Sequence, residues 1–136
     1  MDTADIKAPE IKAPEIKAPE IKAPEIKDWH AHVYFDPQTR DRAWALREKI
    51  EKAFAIDMGR FHEKPVGPHP MFSYQVHFKN EQFGPLISWL ALNHDDLTVF
   101  IHPNTGQDLE DHRDRAVWIG KSVPLVLDIF INRRKD

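Results

Sequence analysis

Cysteine is absent from the 136 residues, which excludes disulfides and thiolate ligands; any metal must rest on histidine, aspartate or glutamate. No apolar run reaches membrane-spanning length, and the N-terminus lacks the apolar centre of a signal peptide. A cytoplasmic protein with no membrane partner is therefore expected. No basic tract occurs either. The formal charge is −3, and setting aside the five lysines and six acids before Asp28 leaves 14 basic against 16 acidic residues. Nucleic acid is not an expected partner. What the chain does have is eight histidines, an oddity at this length that favours metal binding.

The chain begins with a low-complexity segment. Ile-Lys-Ala-Pro-Glu repeats from Ile6 to Glu25 and restarts at Ile26. A five-residue period matches neither a helix nor a strand, and Pro9, Pro14, Pro19 and Pro24 block a continuous helix. Residues 1–27 are thus expected to form an extended tail, and residues 28–136 a single folded domain.

The stretch Trp29 to Asp36 organises that domain. Trp29, Ala31, Val33 and Phe35 alternate with His30, His32 and Tyr34, the pattern of a strand with one apolar and one polar face. Two histidines at i and i+2 stand roughly 7 Å apart on the same face, close enough to reach one ion. The plainer reading is a solvated sheet face.

Asp36-Pro37 suits a helix start, and Ala43, Leu46, Ile50, Ala53 and Phe54 recur at helical spacing up to about Ile56, with Met58-Gly59 as the stop. Arg60 to Glu63 reads as a short strand, followed by a stiff loop from Lys64 to Pro70. Phe72, Tyr74, Val76 and Phe78 alternate with Ser73, Gln75 and His77 as a third strand. A largely buried helix over 81–93 and a fourth strand over 97–102, ending at Pro103, follow. The order β-α-β-β-α-β is that of the ferredoxin-like split unit, an α+β fold with an antiparallel sheet. Its topology places His77 and His102 beside His30 and His32, on a face free of the two helices. Beyond it, Asp108 to Arg115 reads as a charged helical turn in which Asp111 or Asp114 can fix the tautomer of His112. Pro124 to Ile131 reads as a fifth strand. Either this C-terminal extension or a partner chain is expected to cover the open sheet face.

Several motifs in order resemble the small DOPA 4,5-dioxygenase family: His30 to Asp36, Arg60-Phe61-His62 with Pro65 to Pro70, His102 to Gly106, and Asp111-His112 with Ala116 to Gly120. The resemblance runs from about Asp28 to about Leu127 and leaves out the repeat. It implies a ferredoxin-like domain, a non-haem iron(II) cofactor with zinc or another divalent metal possible as purified, and extradiol cleavage of a catechol such as DOPA by dioxygen. On that basis His30, His32 and His102 are the expected metal ligands, His69 a fourth ligand or the proton donor, and His112 a further acid–base group. Tyr34 is placed to meet the small aromatic substrate. His62, His77 and Glu63 form a second tier, Glu63 being the nearest carboxylate for the usual two-histidine, one-carboxylate set. A homodimer is expected, and the competing reading is a dimeric ferredoxin-like module that holds a metal or ligand without turnover.

Overall fold

The computed structural model describes residues 24–135, with side chains through Arg133. Residues 1–23, and with them most of the repeat, lie outside it. The elements are β1 (Asp28–Phe35), α1 (Arg40–Ala53), β2 (Asp57–Met58), β3 (Phe72–Phe78), a 3-10 turn (Asn80–Gln82) leading into α2 (Phe83–Asn93), β4 (Thr98–Asn104), α3 (Asp108–Arg113), β5 (Val117–Ile119) and α4 (Asp128–Lys135). The five strands form one antiparallel sheet in the order β2-β3-β1-β4-β5. Without β5 this is the ferredoxin-like arrangement, with the first strand central.

One face of the sheet makes the core. Ala31, Val33 and Phe35 of β1, Tyr74, Val76 and Phe78 of β3, and Val99 and Ile101 of β4 pack with Ala43, Leu46 and Ile50 of α1 and Leu86 and Leu90 of α2. Tyr74 faces the helices and donates from its hydroxyl to the Ala43 carbonyl at 2.9 Å. Trp29 and Trp89 pack against this cluster, whereas Trp44 is 43 % exposed.

The polar face is set by register. His30 stands opposite both His77 and His102, His32 opposite Gln75 and Phe100, and Tyr34 opposite Ser73 and Thr98. The period-two alternation of β1 therefore delivers a cross-strand row of three histidines.

Four boundaries differ from the sequence reading. Helix α1 ends at Ala53, with Phe54 extended, and starts at Arg40, after a turn in which the Asp36 carboxylate accepts the Gln38 and Thr39 amides at 2.9 Å. The second strand lies earlier than Arg60 to Glu63. Gly59 donates to Gln75 and His62 bridges Ser73, so Arg60 and Phe61 stand opposite Tyr74 alone, a bulge that splits the edge strand. A Cβ on Gly59 would stand 3.2 Å from Gln75, a close approach that glycine eases. Strand β4 runs through Pro103 to Asn104, whose carbonyl accepts from Lys27. Proline is tolerated because β5 pairs only with Val99 to Ile101, leaving no ladder partner for a residue-103 amide. The fifth strand is Val117–Ile119, not Pro124 to Ile131, which runs extended and then turns into α4 at Asp128. That segment lies over the polar face, where Val126 donates to the Pro68 carbonyl at 2.9 Å. No helix among the described residues is long and apolar enough to cross a membrane.

Candidate metal centre

The rings of His30, His32, His69, His102 and His112 gather over the polar face. His32 and His102 bring their Nε2 atoms to 3.1 Å, and His30 sits edge-on to both, at 5.7 Å and 5.2 Å between ring centres. His69 arrives from the loop, its ring 4.1 Å from that of His32. Gly67, at φ +54°, makes the tight turn that lets Val66 and His69 bridge and aims His69 at the sheet. His112 arrives from α3, 4.0 Å from His102 and 4.4 Å from Phe130 of α4. Below them Phe100 stacks on Trp118 of β5 at 4.7 Å.

Hydrogen bonds set which nitrogen each ring offers. A carbonyl oxygen can only accept, so His102 donates from Nδ1 to the Pro103 carbonyl at 3.0 Å and His112 from Nδ1 to the Asp108 carbonyl at 2.7 Å. In the neutral rings Nε2 then carries the lone pair. Tyr34 is 1 % exposed, and its hydroxyl is engaged with His69 Nδ1 at 2.7 Å, so it sits behind His69 rather than in the cleft.

Burial holds these rings neutral. Desolvation pushes His30 and His69 down to about 4 and His102 to about 3, with charge on neighbouring histidines adding to the effect. His32 is held well below the ordinary histidine range, and His112 below it, for the same first reason. Burial likewise raises the Tyr34 hydroxyl, which stays protonated at neutral pH.

His30, His32 and His102 offer ring nitrogens within 4.8 Å of one another. Two imidazole nitrogens bound at ~2.1 Å to one ion lie about 3 Å apart, so the separation seen between His32 and His102 suits a shared ion. Neutral, largely desolvated rings are a donor set for a divalent metal. A cleft of about 330 Å³ opens over them, lined also by Asn104, Asp108, Ile129, Phe130 and Arg133.

The second tier divides. His77 lies at the end of the histidine row but binds Asp28 Oδ2 at 2.8 Å. Asp28, His30 and His77 make another set of donors within 4.8 Å, so a carboxylate beside His30 exists after all. Burial pushes Asp28 up, yet hydrogen bonds from His77 and Asn104 outweigh it and hold the carboxyl below its usual range. The sequence signal for Asp28 was its place two residues before His30 on the same strand face. Glu63 is paired with Arg40 and half-exposed, outside the cluster. His62 is tied by its backbone to Ser73 at the sheet edge. The Asp108 carbonyl, not Asp111 or Asp114, holds His112 Nδ1; the hydrogen bonds of Asp111 go elsewhere. Asp111 accepts from the Thr105 amide and hydroxyl and from Arg115 at 2.8 to 2.9 Å, anchoring α3.

Residues 29–129 match the model of the Dopa 4,5-dioxygenase family. The chain belongs to that family. Among curated members it is 37 % identical over 112 residues to a DOPA 4,5-dioxygenase of Amanita muscaria, covering 74 % of this chain and 48 % of that one. It is also 37 % identical over 110 residues to an uncharacterised 21.2 kDa protein of Botryotinia fuckeliana, covering 72 % and 60 % of the two. The chain thus spans about half the length of the curated relatives it matches. A crystal structure of a Nostoc punctiforme protein assigned as a dioxygenase superposes with a TM-score of 0.77 at 39 % identity, over 80 % of this chain and 94 % of that one. The histidines of β1, β3 and β4 all lie inside the matched region.

Proposed function

We propose that this chain is a non-haem iron(II) extradiol dioxygenase acting on a catechol, with His30, His32 and His102 as the metal ligands. The single observation that carries the proposal is the set of three neutral, desolvated imidazoles at the floor of a cleft of small-molecule size. Held by these three residues, iron(II) would supply the electron transfer from a bound catecholate to dioxygen that ring cleavage needs.

The chain's own groups have three tasks. The carbonyls of Pro103 and Asp108 fix the tautomers of His102 and His112, so both present Nε2. A chelating catechol must lose its hydroxyl protons, and His69 and His112, neutral and flanking the ligand rings, are the bases in reach. Tyr34, hydrogen-bonded to His69 Nδ1, holds that ring's orientation, and with its oxygen accepting from Nδ1–H it leaves Nε2 free to take a proton. Phe130 lines the cleft, and Phe100 stacked on Trp118 packs beside the histidine rings, which gives the site an apolar wall against an aromatic ring. Both oxygen atoms enter the product, so no external reductant is needed.

The test is oxygen uptake. Iron(II)-loaded protein prepared without oxygen, then given DOPA or caffeate with oxygen, is expected to consume one oxygen per catechol and form a yellow product. His32→Ala should abolish both. Tight metal binding without uptake of oxygen by any catechol would instead favour a module that holds a metal, zinc included, without turnover.

A further inference from the structure

Register carries the histidine row past His30, away from His102. His102, His30, His77 and Asp57 stand opposite one another across β4, β1, β3 and β2, and Asp28 precedes His30 by two residues on the same strand face. Asp28 Oδ2 and His77 Nε2 are 2.8 Å apart, about the separation of two ligand atoms on one ion, and a donor nitrogen of His30 lies within 4.8 Å of this pair. Both side chains are supported from behind. Asn104 Nδ2 donates to Asp28 Oδ1 at 2.6 Å, which leaves Oδ2 turned toward His77. On the far side of the His77 ring, the Asp57 carboxylate stands 3.8 Å from Nδ1 on a side chain exposed enough to close the gap. A histidine with a carboxylate at its other nitrogen, beside a carboxylate that is itself hydrogen-bonded, has the outer support typical of metal ligands. The pair also faces a separate space: Asp28, His77 and Asp57 line a cavity of about 660 Å³, whereas His30, His32 and His102 line the cleft of about 330 Å³.

We propose that Asp28 and His77 bind a second divalent cation, of the zinc or cobalt(II) class, in this other cavity, with water completing its coordination. The inference uses the metal ligands named above and is independent of the catechol chemistry. A carboxylate with an imidazole suits such ions, and the two donor sets meet at His30. A neutral imidazole has one lone pair, so His30 cannot serve both ions. While His30 holds the first ion with His32 and His102, the second has two protein ligands and binds more weakly. When the first site is lost, His30 completes a two-histidine, one-carboxylate set with Asp28 and His77.

The experiment is titration of the metal-free full chain with zinc alone, followed by calorimetry and by metal analysis after equilibrium dialysis. Two ions per chain are expected, in a tight and a weak phase separated by about tenfold or more in affinity. Asp28→Asn, which keeps an oxygen for Asn104, and His77→Gln should each remove the weak phase and leave the tight one, whose survival shows that the variant is folded. His32→Ala should leave one ion, bound more tightly than the weak phase of the unaltered protein, and adding Asp28→Asn to it should release that ion. One ion per chain in the unaltered protein, a weak phase that survives both Asp28→Asn and His77→Gln, or loss of both phases in each of those variants would overturn the inference. No catechol enters these measurements. Two zinc phases without oxygen uptake by the iron(II)-loaded protein keep the second site and sink the dioxygenase; oxygen uptake with a single phase does the reverse.

Discussion

Two backbone carbonyls and one hydroxyl govern what the histidine cluster can offer. Because His102 and His112 each donate Nδ1–H to a main-chain oxygen, no side-chain substitution at Pro103 or Asp108 removes the acceptor, and the tautomers are fixed by the fold. His69 differs, since its Nδ1 depends on the Tyr34 hydroxyl. Tyr34→Phe leaves a buried ring nitrogen without its partner. The expected cost is about 1–3 kcal/mol of stability, read as a lower urea midpoint, with turnover falling further than metal content. A metal affinity that collapses together with activity would place His69 among the ligands instead. For the ligands themselves, His102→Ala should lower the affinity for iron(II) or zinc by more than the 10–100-fold typical of residues that only support a ligand, measured by competition with a chelator.

At the scale of elements, the floor of the cleft belongs to the split unit, but its α3–α4 wall comes from outside it. Helix α3 carries His112 and is held by Asp111, whose side chain is 2 % exposed and paired with Arg115 at 2.9 Å. Removing one partner of a buried pair leaves an uncompensated charge, so Arg115→Ala should destabilise by about 3–5 kcal/mol, less the share screened by solvent at the one-third-exposed arginine. Denaturant melts check this, and a loss under 1 kcal/mol would show that Thr105 alone satisfies the carboxylate. The split unit was legible because its signals are local: alternation in β1, β3 and β4, and helical spacing in α1 and α2, each matched by burial on one face. Register followed from topology, and with it the meeting of His30, His77 and His102. The extension was less legible. Leu125, Leu127, Ile129 and Ile131 alternate as a strand would, yet Leu127 accepts from Phe130 and Ile131 in a first helical turn, and Phe130 rather than its neighbours is buried. Short apolar runs fit either period, and here packing on the histidine face decides. Asp28 could not be assigned from sequence for a related reason: its partner, His77, lies 49 positions away.

For the whole molecule, gathering desolvated histidines makes stability depend on pH in a definite direction. In the unfolded chain these rings titrate near 6.5, whereas burial holds His30 and His69 at about 4 and His102 at about 3 in the folded state. Above about pH 6.5 neither state is protonated and the cluster imposes no pH dependence. Between 6.5 and the folded values the unfolded chain binds more protons, so stability falls as pH falls. Each fully buried ring contributes a slope of at most about 1.4 kcal/mol per pH unit. The metal-free protein should therefore show a urea midpoint that is level from pH 8 to 7 and drops steadily from about 6.5 toward 4. Metal bound to the neutral rings raises the midpoint at pH 7 by mass action and makes the acid decline steeper, because the ions leave as the ligands protonate. His69→Gln with His102→Gln should flatten the acid limb of the metal-free protein even where it lowers the midpoint. A midpoint unchanged from pH 7 to 5 in the unaltered, metal-free chain would mean that water reaches the rings, and the case for a dry, neutral donor set at the cleft floor would fall with it.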